Sequence, residues 1–134
     1  MDKVDLKTGN YLLSQKMLDI TAELADKLNQ SEPFMLLKTT EATLNANAEA
    51  IQLINDITEL QQKIKSQNQT TIIPESEFTR YRELQNKIGE NEVIQASGIA
   101  QENAIAFLRE VNQEISNLLG VDFASLTRRS SGCC

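Results

Sequence analysis

Residues 92–119 read EVIQASGIAQENAIAFLREVNQEISNLL, the longest stretch of uninterrupted helical periodicity in the chain. Val93, Ser97, Ala100, Ala104, Phe107, Val111, Ile115 and Leu118 recur at the three-to-four spacing that lines one side of a helix. A helix across these residues is about 40 Å long at 1.5 Å per residue. The first half of its stripe is small and the second half bulky, so another helix approaches closely at one end and needs a thicker core at the other. Such a helix overhangs any bundle made of shorter ones. A second copy or a partner chain is the economical cover for the excess. We therefore expect Val93, Ser97, Ala100, Ala104, Phe107 and Val111 to lie in a helix–helix interface.

Upstream, the same spacing returns in shorter pieces. Leu13, Met17, Ile20, Leu24 and Leu28 define a first helix, with Lys16, Asp19, Glu23, Asp26 and Lys27 on its other surface. Pro33 fits the first turn of a second helix that starts near Ser31 and carries Phe34, Leu37 and Leu44. Asn45 and Asn47 offer caps for a third, whose stripe is Ala46, Ala50, Leu53, Ile57, Leu60 and Ile64, widened by Ile51 and Ile54. The polar run at residues 66–71 reads as a loop. Pro74, Glu75 and Glu77 open a fourth helix with Phe78, Tyr81, Leu84 and Ile88 inside, Gly89 as its stop and Asn91 as the next cap. The expected fold is all-α, an antiparallel bundle of about five helices with a long C-terminal helix. One helical domain spans residues 1–120, and residues 121–134 form a tail, although Val121, Phe123 and Leu126 suit one more turn.

Composition narrows the function classes. Across 134 residues there is no His and no Trp, and 19 acidic residues outweigh 13 basic ones for a formal charge of -6. Without His, a hydrolytic triad, a Cys-His nucleophile and a His-bearing zinc site have no means of forming in this chain. An enzyme would need an acid–base pair built from Glu or Tyr alone, and no spacing points to one. The acidic balance argues against direct nucleic-acid binding, and the short basic pairs Arg80/Arg82 and Arg128/Arg129 suit a solvated surface. No segment approaches the roughly 20 apolar residues of a membrane span. The charged start of the sequence lacks a secretory core, so a cytoplasmic protein is expected. Asp19/Glu23 and Glu110/Glu114 sit four apart on helices, but a di-iron bundle uses Glu-x-x-His elements, and solvated faces explain these acids.

Cys133 and Cys134 are the residues with the strongest functional pull. They read as inert thiols, as ligands supplying two of the four thiolates an iron–sulfur cluster needs, or as a prenylation site. The absence of a phosphate-binding Gly-x-x-x-x-Gly-Lys loop removes the trafficking-GTPase context that the last reading requires.

The stretch EATLNANAEA at residues 41–50, continuing through Ile54-Asn55-Asp56-Ile57 and Leu60-Gln61-Gln62-Lys63, resembles the central segment of the YlbF/YmcA family, nearest to its YmcA branch. Asn91-Glu92-Val93-Ile94-Gln95 and Val111-Asn112-Gln113-Glu114-Ile115-Ser116 resemble that family's long C-terminal helix. The likeness runs from about Leu13 onward and rests on core and cap residues. It implies an all-helical cytoplasmic protein of Gram-positive bacteria that dimerises through its helices. It also implies a homodimer or a heteromer with YlbF-like and YaaT-like proteins, in a regulatory complex supporting competence, sporulation and biofilm formation and modulating mRNA processing by ribonuclease Y. Such complexes carry iron–sulfur (4Fe–4S) clusters. By this resemblance Cys133 and Cys134 match the family's terminal thiols and become candidate metal ligands of a cluster shared between chains. A cysteine-free branch resembling YheA implies the alternative, a structural helical homodimer without a cluster.

Overall fold

A computed structural model of the chain describes residues 12–67 and 72–128. Among these residues the regular structure is entirely helical: α1 (Gln15–Gln30), α2 (Glu32–Ala46), α3 (Ala48–Gln67), α4 (Glu75–Glu90), α5 (Glu92–Leu119) and α6 (Phe123–Thr127). α1 belongs to one compact unit that closes at Ser31, and α2 to α6 belong to a second that opens at Glu32. The all-α bundle expected from the periodicity is thus what forms, with α6 as the additional turn.

In the first unit, the Ser14 hydroxyl accepts the Met17 N–H at 3.2 Å, which satisfies one of the free amides at the start of α1. Lys27 sits in the last turn, where a cation complements the helix dipole. Ser31 closes the helix: its backbone N–H and its hydroxyl both donate to the Leu28 carbonyl. None of the residues of α1 is buried, so its apolar stripe is formed but uncovered.

The second unit is an antiparallel pair of arms. α2 and α3 make the first arm and α4 and α5 the second; α2 packs on α5 and α3 on α4. Three contacts fix the register. The Phe34 and Phe107 rings meet edge to face, with centroids 6.3 Å apart. The Gln61 amide donates to the Tyr81 hydroxyl at 3.2 Å. Lys63 pairs with Glu77. As numbers rise along one arm they fall along the other, as an antiparallel pair requires.

Among the described residues, the buried hydrophobic ones are Ala50, Leu60, Leu84, Ala100 and Ala104. Three of the five are alanines, which marks this seam as close backbone approach with little side-chain volume to fill. α2 begins only two residues before Phe34, so by the same register α5 beyond about Arg109 has no α2 opposite it. α6 folds back over part of that overhang. Gly120 permits the reversal by taking φ 74°, a left-handed conformation that favours glycine, and its N–H donates to Ser116 at 2.8 Å. The Ser116 hydroxyl then accepts the Phe123 N–H, and Asp122 caps α6 through Ser125.

Each arm is broken once, and both breaks are asparagines. The Asn47 side chain accepts the Ala50 N–H at 2.9 Å, and the Asn91 side chain accepts the Ile94 N–H at 3.0 Å. The expectation that Gly89 ends α4 is corrected here: the helix runs through it to Glu90, and Asn91 makes the stop. Once the Asn91 side chain caps the following helix, no left-handed residue is needed at the junction. Gly89 lies in ordinary helical backbone, and a Cβ added there meets nothing within 4 Å. Gly89→Ala should therefore raise stability by about 0.5–1 kcal/mol through lower unfolded-state entropy. A urea midpoint shifted upward with unchanged slope checks this; a lower midpoint would contradict it.

Candidate protein-interaction surface

The six residues placed in an interface from sequence lie on one stripe of α5. Ala100 and Ala104 are buried, and Val93, Ser97, Phe107 and Val111 are half-buried. Much of that burial is supplied within the chain. Phe107 meets Phe34 of α2, and Ser97 and Ala104 line a groove together with Phe34, Leu37 and Leu44. The small half of the stripe is thus the half that lets α2 come close.

The groove itself is open on one flank of the α2–α5 pair. Its floor and walls are largely apolar, from Phe34, Leu37, Leu44, Ala104, Ile105 and Leu108, with Glu41, Asn45, Ser97 and Gln101 among them. Ile105 is 43% exposed and Leu108 37%. These two sit on the shoulder of α5, one turn apart and beside the stripe, and periodicity assigned them to no face. The signal was present in their spacing from Gln101 and Asn112, but a stripe counted along its centre passes over a shoulder. Elsewhere α2 exposes Met35 and Leu36, and α5 exposes Ile99. In the first unit, Leu13, Met17, Ile20 and Leu24 of the α1 stripe are all 42–56% exposed. Scattered apolar residues are ordinary on a protein surface, whereas helical stripes and a groove of them mark binding faces.

The polar constellations carry less. Beside the α3–α4 pair, Asp56, Glu59, Lys63, Ser76, Glu77 and Arg80 line a cavity. Lys63 and Glu77 pair there; Lys63 is more than half exposed and Glu77 is largely covered, with one carboxylate oxygen lacking a hydrogen-bond partner. The cavity mixes both charges around a partly covered ion pair. Asp19 accepts a hydrogen bond from Gln15 at 2.9 Å on the exposed face of α1. Among the described residues, no group of three His, Cys, Asp or Glu side chains is placed to hold a metal ion. The expected ligands Cys133 and Cys134 lie outside the described residues, as does Arg129. Two thiols are half of what a four-iron cluster requires, so this chain's own donors do not fit a complete one. No helix is long and apolar enough to cross a membrane among the described residues.

Compared with known families, the chain matches over residues 17–119 the one described as "Control of competence regulator ComK, YlbF/YmcA". No curated protein matches it.

A charge at the centre of the seam separates folding from assembly. Ala104 is 3% exposed, so a carboxylate added there would be buried against α2. Ala104→Glu should cost about 3–5 kcal/mol, the size of an uncompensated buried charge, and loosen α2 from α5. Denaturant unfolding checks this; wild-type stability would contradict the assignment of this stripe to the seam.

Proposed function

Because the chain belongs to the YlbF/YmcA family, a family of competence regulators, we propose that it is a non-catalytic adaptor acting through its helix faces. One observation carries the reading: the apolar stripe of α1 and the α2–α5 groove are built but left open. In this reading the chain is a cytoplasmic subunit of a YlbF/YmcA/YaaT-type complex that supports competence, sporulation and biofilm development and modulates mRNA processing by ribonuclease Y. Partner helices lay their apolar sides into the groove, the mode in which residues at i, i+3, i+4 and i+7 act as anchors. Cys133 and Cys134 contribute thiolate to an iron–sulfur cluster completed by the partner chains.

Two variants test the parts separately. Ile105→Glu with Leu108→Glu alters exposed positions, so stability should change by about 1 kcal/mol or less while capture of YlbF-like and YaaT-like partners falls at least tenfold. Unchanged capture would remove the groove from the binding surface. Cys133→Ser with Cys134→Ser should leave the complex assembled and lower its iron and sulfide content. A colourless wild-type complex, or one whose metal content ignores both substitutions, would sink the cluster assignment. A homodimer that binds neither partner would favour the structural reading instead.

A further inference from the structure

The two breaks are built alike and lie across from each other. At the first, the Asn47 N–H donates to the Leu44 carbonyl at 3.0 Å, its side chain accepts from Ala50, and its carbonyl accepts the Ile51 N–H at 3.1 Å. At the second, the Asn91 N–H donates to Ile88 at 3.2 Å, its side chain accepts from Ile94, and its carbonyl accepts the Gln95 N–H at 3.0 Å. The register set by Phe34 with Phe107 and Lys63 with Glu77 lays residues 47–50 against residues 91–94, running in opposite directions. Ala50, completely buried, stands across from Asn91 at the point where the two turns meet.

Neither break is forced by the covalent chain. No proline stands within ten residues of either asparagine, and neither junction uses a left-handed residue. The flanking sequence Ala46, Ala48, Glu49 and Ala50 consists of strong helix formers. The first break is therefore held by its cap and the second by its cap together with the Gln95 side-chain amide, which donates to the Ile88 carbonyl at 3.0 Å across the junction, and a continuous helix is the competing state. The arms do not reach that state one at a time. A non-helical residue resets the rotational phase of everything after it, and the buried residues lie on both sides of the breaks. Straightening only the first arm would turn the buried Ala50 and Leu60 away from the second arm, while α2 kept its place against α5.

We propose that Asn47 and Asn91 form one hinge, which keeps both arms bent together and gives way only as a pair. This makes the angle between the α2–α5 and α3–α4 halves a property with two settings. Differential binding on the α2–α5 groove is then able to move the far α3–α4 end. The hinge itself concerns residues 32–119 alone and does not rest on the proposed complex; its coupling to binding in the groove does.

A double-substitution cycle on the full chain tests it, with unfolding followed at fixed protein concentration and helicity followed by circular dichroism. Asn47→Ala and Asn91→Ala should each lower the folding constant about fivefold, the ordinary effect of losing a cap. In the double variant the straight form becomes accessible. Its folding constant should then fall by less than the roughly 25-fold product, with a helical signal above wild type and a longer maximum dimension in solution scattering. Asn47→Asp with Asn91→Asp retains both caps and should reproduce the wild-type signal and dimension. A double variant that loses the full product with unchanged helicity, or that does not fold, would overturn the hinge.

Discussion

The antiparallel approach of two broken arms, seamed by Ala50, Ala100 and Ala104, is the interaction from which the rest of residues 32–128 takes its place. Alanines at the seam bring the backbones close, and a close seam leaves little volume between two helices for larger side chains. Leu60 and Leu84 are the only large hydrophobic residues buried among those described, while eighteen large ones stand exposed. Two helices side by side bury one stripe each and leave their shoulders wet. A third layer is what completes a helical core.

That shortage explains why the surface of the described residues is so apolar. The cavity near Lys63 and Glu77 is lined by charges of both signs, whereas the groove between α2 and α5 offers shape, apolar area and a polar rim. Binding energy in such a groove comes from a few anchors in desolvated pockets, for which Phe34, Ile105 and Leu108 are placed. Membership of a family of competence regulators gives this surface a context that suits it: regulation by assembly.

Much of this was legible in the sequence, and the misses have physical reasons. The span of α5 follows from unbroken periodicity between Asn91 and Gly120, two residues whose chemistry ends helices. The all-α class follows from the same spacing in every segment. The stripe from Val93 to Val111 was read as an interface; within the chain Ala100 and Ala104 are buried on it, and periodicity marks a face that packs without saying what packs on it. The shoulder residues Ile105 and Leu108 were missed because a stripe counted along its centre passes over its flanks, and which flank stays open depends on how α2 lies along α5. Gly89 was misread because glycine's usual role at helix ends competes with an asparagine cap two residues later, and the cap won. The alignment of Asn47 with Asn91 was beyond the sequence. It is a property of the pairing between arms and has no local signature.

The central claim is that the open apolar faces of α1 and of the α2–α5 pair are covered by protein in the working assembly. Amide hydrogen exchange on the full chain, compared between dilute isolated protein and the purified assembly, addresses it most directly. The account predicts that amides of α1 and of residues 97–108 in α5 slow by at least tenfold on assembly, while those around Glu59 and Arg80 in the α3–α4 pair change little. Equal exchange at α1 and residues 97–108 in the two states would contradict it.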